Sequence, residues 1–338
     1  MIKNKIFNNK SILITGGTGS FGKTFTEIVL KKFKPRRLII FSRDELKQSE
    51  MAKKFPNTKY PCMRYFIGDV RDVDRLKMAM NGVDYVVHAA ALKHVDSSEY
   101  NPIECVKTNV GGAENVVNAV ISSGVMKTIA LSTDKASDPI NLYGSTKLTS
   151  DKIFVSANNI TGVKNKIFAV VRYGNVIGSR GSVVPFFKEK MKESNTLPIT
   201  HLEMTRFWIT LEDAVKFVID SFLRMKGGEI FLPKIPSAKI TDLAKSISPK
   251  AKFKLVGIRP GEKLHEKMCS INEARLTLEF KKFYLIKPTI TFFERNINYS
   301  KNSLGEKGKS VSKNFEYRSD NNKDFLTINQ LKKIIKNF

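Results

Sequence analysis

The first half of the chain alternates short apolar runs with amphipathic stretches. "SILITGG", "RLIIFSR", "RYFIGDV", "DYVVHAA", "TIALST" and "FAVVRYG" read as buried parallel strands, rich in Ile and Val. Between them, "FTEIVLKKF", "DRLKMAM" and "GGAENVVNAVISSG" place apolar residues on one helical face. Strand and helix in strict alternation predict an α/β fold with a doubly wound parallel sheet. After about residue 176 Gly, Pro and Ser become frequent ("GSRGSVVPFF", "TLPIT", "FLPKIPS") and the elements become shorter and mixed. Residues 1–175 are therefore expected to form the sheet domain. Residues 176–338 are expected to form mainly a smaller lobe over the C-terminal edge of the sheet, where ligands of open α/β folds bind. The segment at about 205–230, with "TLEDAVKFVIDSFLRM", is expected to return to the first domain, which interleaves the two. From about 295 the chain is polar and loop-like, and a final amphipathic helix ends it.

Composition narrows the class. The 338 residues are 41% hydrophobic and 27% charged, ordinary for a soluble globular protein. No apolar run approaches the roughly 20 residues of a membrane span, and "MIKNKIFNNKSILITGG" carries no signal-peptide core. Cys62, Cys105 and Cys269 are scattered and odd in number, which suits free thiols in a reducing cytoplasm. The net charge of +26 is the outlier. Its lysines are dispersed ("KKFKPRR", "MAKKF", "KSISPKAKFK", "LKKIIKNF") rather than gathered in one block, and no aromatic-plus-basic repeat accompanies them. A solvated basic surface that attracts a doubly anionic ligand fits this better than nucleic-acid binding.

"ILITGGTGSFGKTF" sets Gly17, Gly19 and Gly22 in GxGxxG spacing between a strand and a helix. That context lets a dinucleotide pyrophosphate approach the helix N-terminus, with Gly16, Thr18, Ser20 and Phe21 completing the loop. The second strand ends in Ser42-Arg43-Asp44, followed by Glu45, Leu46 and Lys47. Arg43 offers a planar fork for a 2′-phosphate, whereas Asp44 turned inward would grip a ribose 2′-hydroxyl. With Ser42 and Lys47 nearby, NADP is the preferred reading. Asp69 and Val70 of "GDV" are placed beside the adenine. Ala89 and Ala91 of "HAAALKH" are placed on the nicotinamide side, and His88 is read as a core histidine. In "STDKASDPINLYGSTK", Tyr143 and Lys147 stand four apart and share a helical face. A phenol beside an ammonium can strip a proton from a hydroxyl while a nicotinamide takes the hydride. Asp134 and Lys135 upstream exceed what a plain dehydrogenase needs. No His, Cys or Asp cluster has metal spacing; His94, His201 and His265 are isolated.

These residues resemble the extended short-chain dehydrogenase/reductase superfamily. More narrowly they resemble the inverting UDP-N-acetylglucosamine 4,6-dehydratases (5-epimerising), which begin pseudaminic acid synthesis. The resemblance runs through nearly the whole chain, including "TGGTGSFGKTF", "SRDELKQSEM", "LSTDKA", "NLYGSTKL", "RYGNVIGSRGSVVPFF", "MTRFWITLED" and "GIRPGEKLHE". It implies that Tyr143, its pKa lowered by Lys147 and a cationic cofactor, deprotonates the sugar C4 hydroxyl, with Thr133 bonded to that oxygen. Lys135, its own pKa lowered, would take the C5 proton, and protonated Asp134 would serve the departing C6 hydroxyl. Retaining relatives carry Asp-Glu where this chain has Asp134-Lys135. Substrate contacts are implied at Asn175, Arg259, Glu262, Arg206 and, near a departure at Asp96-Ser97-Ser98, Lys93; without the resemblance Asn175 serves equally as a turn cap and Arg206 as an ion-pair partner. Trp208 is read as core. A homo-oligomer is expected. The competing readings are a retaining UDP-sugar dehydratase, a UDP-sugar 4-epimerase, and a non-catalytic nucleotide-binding regulator.

The dispersed charge makes a prediction. Random-sequence DNA retained at low salt is released near physiological ionic strength, as counterion-driven contacts are. A filter-binding titration against salt checks it, and sequence-selective retention at that salt contradicts it.

Overall fold

The computed structural model describes residues 5–161, 166–179, 181–290 and 297–336. The apolar runs of the first half each form a strand. In chain order come β1 (Ser11–Thr15), α1 (Ser20–Lys32), β2 (Arg37–Ser42), α2 (Glu45–Lys54), β3 (Met63–Ile67), α3 (Val73–Ala79) and β4 (Tyr85–His88). Next, α4 (Val95–Tyr100) and α5 (Pro102–Val106) lead through a π-helical turn at Lys107–Gly111 into α6 (Gly112–Ile121). Then β5 (Lys127–Thr133), α7 (Leu142–Ile160) and β6 (Ile167–Tyr173) follow. Further on lie β7 (Asn175–Val176), α8 (Val183–Glu193), β8 (Thr196–Ile199), β9 (Thr205–Ile209), α9 (Leu211–Arg224) and β10 (Ile230–Pro233). The rest comprises β11 (Ser237–Lys239), α10 (Ile240–Ile247), β12 (Lys252–Leu255), β13 (Lys267–Cys269), β14 (Thr277–Glu279), β15 (Phe283–Ile286), β16 (Lys309–Ser310), β17 (Tyr317–Arg318) and α11 (Ile328–Ile335).

The main sheet has ten strands in the order β16-β14-β15-β10-β6-β5-β4-β1-β2-β3. From β10 to β3 every pairing is parallel, which is the doubly wound arrangement the alternation predicts. Order reverses at β1, which pairs with both β2 and β4, and this switch point is where open α/β folds bind their ligands. Asp44, Asp72, Asn141 and Thr210 cap α2, α3, α7 and α9 by accepting a backbone N–H.

Apolar burial falls into two clusters. The larger surrounds the main sheet and includes α9, whose Phe222 packs edge-on against Phe7 and Tyr85. The smaller gathers Leu197, Trp208, Leu243 and Leu331. Chain return is wider than the 205–230 segment: β10, β14, β15 and β16 all join the main sheet. The polar tail is also more tightly held than its composition suggests. The Tyr317 hydroxyl accepts from Ile235 N at 2.9 Å, and Ser319 and Thr205 share a hydroxyl contact of 2.7 Å. Residues 295–296, where that tail begins, lie outside the described residues.

Beneath the C-terminal edge of the sheet, Arg172 of β6 is fully buried. Its guanidinium reaches Asp151 of α7 at 3.3 Å, Glu273 at 3.1 Å and the Met268 carbonyl at 2.9 Å. A buried cation persists only with such compensation. Arg172→Met strands both carboxylates and is expected to lower unfolding free energy by about 3–5 kcal/mol. Denaturant titration measures it, and a loss below about 1 kcal/mol would show that the triad is not a fastener.

Candidate active site

The loop between β1 and α1 is shaped by the absence of side chains. A Cβ on Gly22 would lie 2.1 Å from the Gly17 carbonyl oxygen, and one on Gly16, at φ +63°, would lie 2.9 Å from Ala90. Gly19 is the N-cap of α1 and supplies no capping side chain. A helix of 13 residues thus begins on an open glycine cradle, which fits a dinucleotide pyrophosphate. Phe21 packs on Phe25, and the Thr18 hydroxyl donates inward to Ser42 at 3.2 Å.

At the end of β2 three side chains take different positions. Ser42 is buried, with its hydroxyl contacting Thr18 and Gln48, so it faces the interior and not a 2′-phosphate. Asp44 accepts from Lys47 N at 2.9 Å and pairs with Lys47 Nζ, which commits both side chains to the start of α2. Arg43 is half-exposed, 3.5 Å from Asp69, which Arg71 also holds at 2.7 Å. Burial would raise the Asp69 carboxyl, but Arg71 and Arg43 bring it below the usual range. Glu45 and Leu46 are exposed. Val70 is buried against Gly112 and belongs to the core.

After β4, the amides of Ala89 and Ala90 donate to the Thr15 hydroxyl, which also meets His88 Nδ1 at 2.9 Å. Burial and the Lys147 charge push His88 down to about 3, which keeps it neutral. The strand continues into partly buried Ala91 and exposed Lys93. Asn109, buried on the π turn, clamps this loop: it accepts from Leu92 N at 2.8 Å and donates to the Leu92 carbonyl at 2.9 Å and Thr146 at 3.1 Å. No periodicity or motif had singled it out.

Beyond β5 the chain makes a 3-10 turn at Asp134–Ala136 and then enters α7. A Cβ on Gly144 would lie 2.3 Å from the Lys135 carbonyl oxygen, so turn and helix are in direct contact. The Thr133 hydroxyl is 3.0 Å from Asp134 and also bonds the Tyr143 phenol. Lys147 donates to the Leu131 carbonyl at 2.7 Å and faces Asp151. Two expectations change here. Burial pushes the Tyr143 phenol up to about 12, and the cation opposing this is Lys135, not Lys147. Lys135 is also shifted the other way from the lowered pKa expected. Burial pulls its ammonium down, but Asp134 at 3.1 Å and Glu266 at 3.0 Å more than offset that and raise it. Burial pushes the Asp134 carboxyl up despite Lys135. Glu266 was not anticipated; it stands just ahead of β13, far from the turn in sequence, and its only local signal is an acidic residue entering an apolar strand.

On the smaller lobe, Asn175 Oδ1 is buried without a hydrogen-bond partner among the described residues. Arg206 departs from a phosphate-clamp role. It is buried, and its guanidinium donates to the carbonyls of Thr205, Lys263 and Leu264. Its work is to hold the 262–266 segment. Arg259 is exposed and meets Glu262 at 3.4 Å. Asn141 ties this loop to α7: Oδ1 accepts from Gly144 N while Nδ2 donates to the Gly261 carbonyl, both at 2.7 Å. Among the described residues no group of His, Cys, Asp or Glu is placed to hold a metal ion.

Residues 12–288 match the family model described as polysaccharide biosynthesis protein. The chain belongs to that family. This family member is 60% identical over 331 residues, 98% of both chains, to a Campylobacter jejuni protein named UDP-N-acetylglucosamine 4,6-dehydratase (inverting). A Rickettsia massiliae UDP-glucose 4-epimerase is 39% identical over 98% of this chain and 96% of its own. Among solved structures, Pen from Bacillus thuringiensis superposes with a TM-score of 0.87 at 36% identity, covering 98% of each chain.

The double role of Asn141 in this family member separates by substitution. Asn141→Asp keeps the cap but loses the donor to Gly261, so limited proteolysis within 255–262 should accelerate with little change in stability. Asn141→Ala should also cost about 1 kcal/mol in thermal or denaturant unfolding. Identical behaviour of the two variants would contradict the assignment.

Proposed function

We propose that the protein is a UDP-N-acetylglucosamine 4,6-dehydratase that inverts C5, begins pseudaminic acid or related 6-deoxy amino-sugar synthesis, and works in the cytoplasm as a homo-oligomer. One observation carries the activity: an Asp134-Lys135 pair with its carboxylate buried shares a Thr133–Tyr143 hydrogen-bond site. The names of the 60% and 58% identical Campylobacter relatives support the substrate. Exposed Tyr100, Ile103 and Val106 along α4 and α5 support an oligomer. Among the described residues no helix is long and apolar enough to cross a membrane.

When bound, the nicotinamide supplies a hydride acceptor at C4 and a hydride donor at C6. The chain's own groups manage the protons. Tyr143 and Thr133 hold the C4 oxygen, and Tyr143 takes its proton; the Lys135 charge makes that easier than burial alone allows. Oxidation at C4 acidifies C5–H, which Lys135 removes. Asp134, whose carboxyl burial pushes up, supplies the proton for the departing C6 hydroxyl. Elimination is why an acid and a base accompany the tyrosine.

NADP is the cofactor we assign. Asp44 is committed to capping α2 while Arg43 reaches outward, which favours a 2′-phosphate over a free 2′-hydroxyl. The glycine cradle holds the pyrophosphate, and Asn175, Arg259 and Glu262 bind the nucleotide sugar.

Incubated with UDP-N-acetylglucosamine in D₂O and catalytic NADP+, the protein should form a 4-keto-6-deoxy sugar of L-arabino configuration labelled at C5, followed by NMR. A D-xylo first product would indicate a retaining enzyme, and a C4 epimer without water loss an epimerase. Lys135→Met should retain cofactor and abolish dehydration. Arg43→Ala should weaken NADP binding by about 1.5–3 kcal/mol and leave NAD binding unchanged, measured by calorimetry.

A further inference from the structure

Lys135 lies between two carboxylates, and only one of them is its sequence neighbour. Its Nζ is 3.1 Å from Asp134 Oδ1 and 3.0 Å from Glu266 Oε1. Both acids are almost wholly buried, and each has one oxygen, Asp134 Oδ2 and Glu266 Oε2, without a hydrogen-bond partner among the described residues. The Glu266 backbone is fixed from both sides: its N–H donates to Ser319 at 3.0 Å and its carbonyl accepts from Ser319 N at 2.9 Å. A buried carboxylate so rigidly presented is a designed contact of the lysine and not a surface pairing.

An amine can take a carbon-bound proton only after giving up one of its own. The carboxylates around Lys135 oppose that loss. We propose that Glu266 is the positioning residue that makes Lys135 a base, by accepting its extra proton once C4 has been oxidised. The step balances: the Lys135 ammonium N–H breaks, an O–H forms on Glu266, and a neutral amine faces a neutral carboxylic acid. Lys135 then takes the C5 proton and becomes an ammonium again, while the electron pair passes to the C4 ketone oxygen. Excluding water favours this exchange, because a buried ion pair becomes two neutral groups. The groups facing Lys135 are Asp134 and Thr133 from the turn, Tyr143 from α7, Arg206 from β9, and Glu266 and Lys263 from the segment before β13. Of these, Asp134 and Glu266 touch the ammonium, but Asp134 Oδ1 already accepts from the Thr133 hydroxyl at 3.0 Å, so Glu266 is the carboxylate left to take the proton; burial would raise its carboxyl, but Lys135 and Arg206 bring it below the usual range. Burial pushes Asp134 the opposite way.

The proposal rests on the dehydratase reading and is tested apart from it. Reduction of the bound nicotinamide reports C4 oxidation, and deuterium exchange at C5 in D₂O reports Lys135. In the wild type, exchange should be flat across neutral pH because the lysine proton leaves internally. Glu266→Gln should still reduce the nicotinamide, but exchange should fall on the order of 100-fold and its logarithm should rise with unit slope against pH. Glu266→Asp keeps a carboxylate and should restore a flat profile at reduced rate; it carries the comparison if the Gln variant does not fold. A Gln variant with a flat profile, or an Asp variant that acquires the slope, overturns the proposal whatever the size of the rate loss. A wild-type protein that reduces no nicotinamide with UDP-N-acetylglucosamine overturns the dehydratase reading, and the proposal with it.

Discussion

A single guanidinium without access to water holds the catalytic end of this molecule together. Arg172 projects from β6 and must be neutralised where it stands, because an unpaired buried cation is prohibitive. Its partners come from three directions: Asp151 one turn beyond Lys147 on α7, Glu273, and the Met268 carbonyl. Satisfying that one charge brings the tyrosine-bearing helix, the sheet and the segment after β13 to the same place. Glu273 also accepts from Ser137, just past the Asp134-Lys135 turn. The site is thus assembled around an ion that takes no part in the chemistry.

Above this fastener the electrostatics are arranged by burial as much as by proximity. Asp134 and Glu266 flank the same ammonium at nearly equal distance yet are shifted in opposite directions. Asp134 also faces another anion, Glu266, whereas Glu266 has Arg206 and Lys263 behind it. Two like groups at one ammonium are thus biased in opposite directions by what surrounds them. Tyr143 shares the same field, and its dominant cation is the lysine of the turn.

What could be read along the chain was whatever depends on neighbours in sequence. The strands from Ser11 to Tyr173 were legible because the central strands of a covered sheet are dominated by apolar residues, and the β1–α1 turn because only glycine tolerates such close backbone approach. Positions set by folding were not. Ser42 looks like a phosphate ligand in sequence, yet Thr18 and Gln48 turn it inward. Arg206 looks like a clamp, yet the carbonyls of Thr205, Lys263 and Leu264 occupy it. The direction of the Lys135 shift depends on Glu266, contributed by a strand approach from the other end of the chain. Asn109 depends on a π turn that no hydrophobic period announces.

The path of the chain between the two apolar clusters has a consequence for how such a protein can diversify. After β6 the backbone enters the smaller cluster, returns through α9 and β10, leaves again for α10, rejoins the sheet at β14 and β15, and ends in α11 beside Leu243. No single cut yields two pieces that each retain a complete core. A new sugar specificity therefore cannot be acquired by grafting a foreign lobe at one crossover, as proteins built from modules in series can do. It has to arise residue by residue within loops such as 255–262, whose exposed side chains leave the shared core untouched.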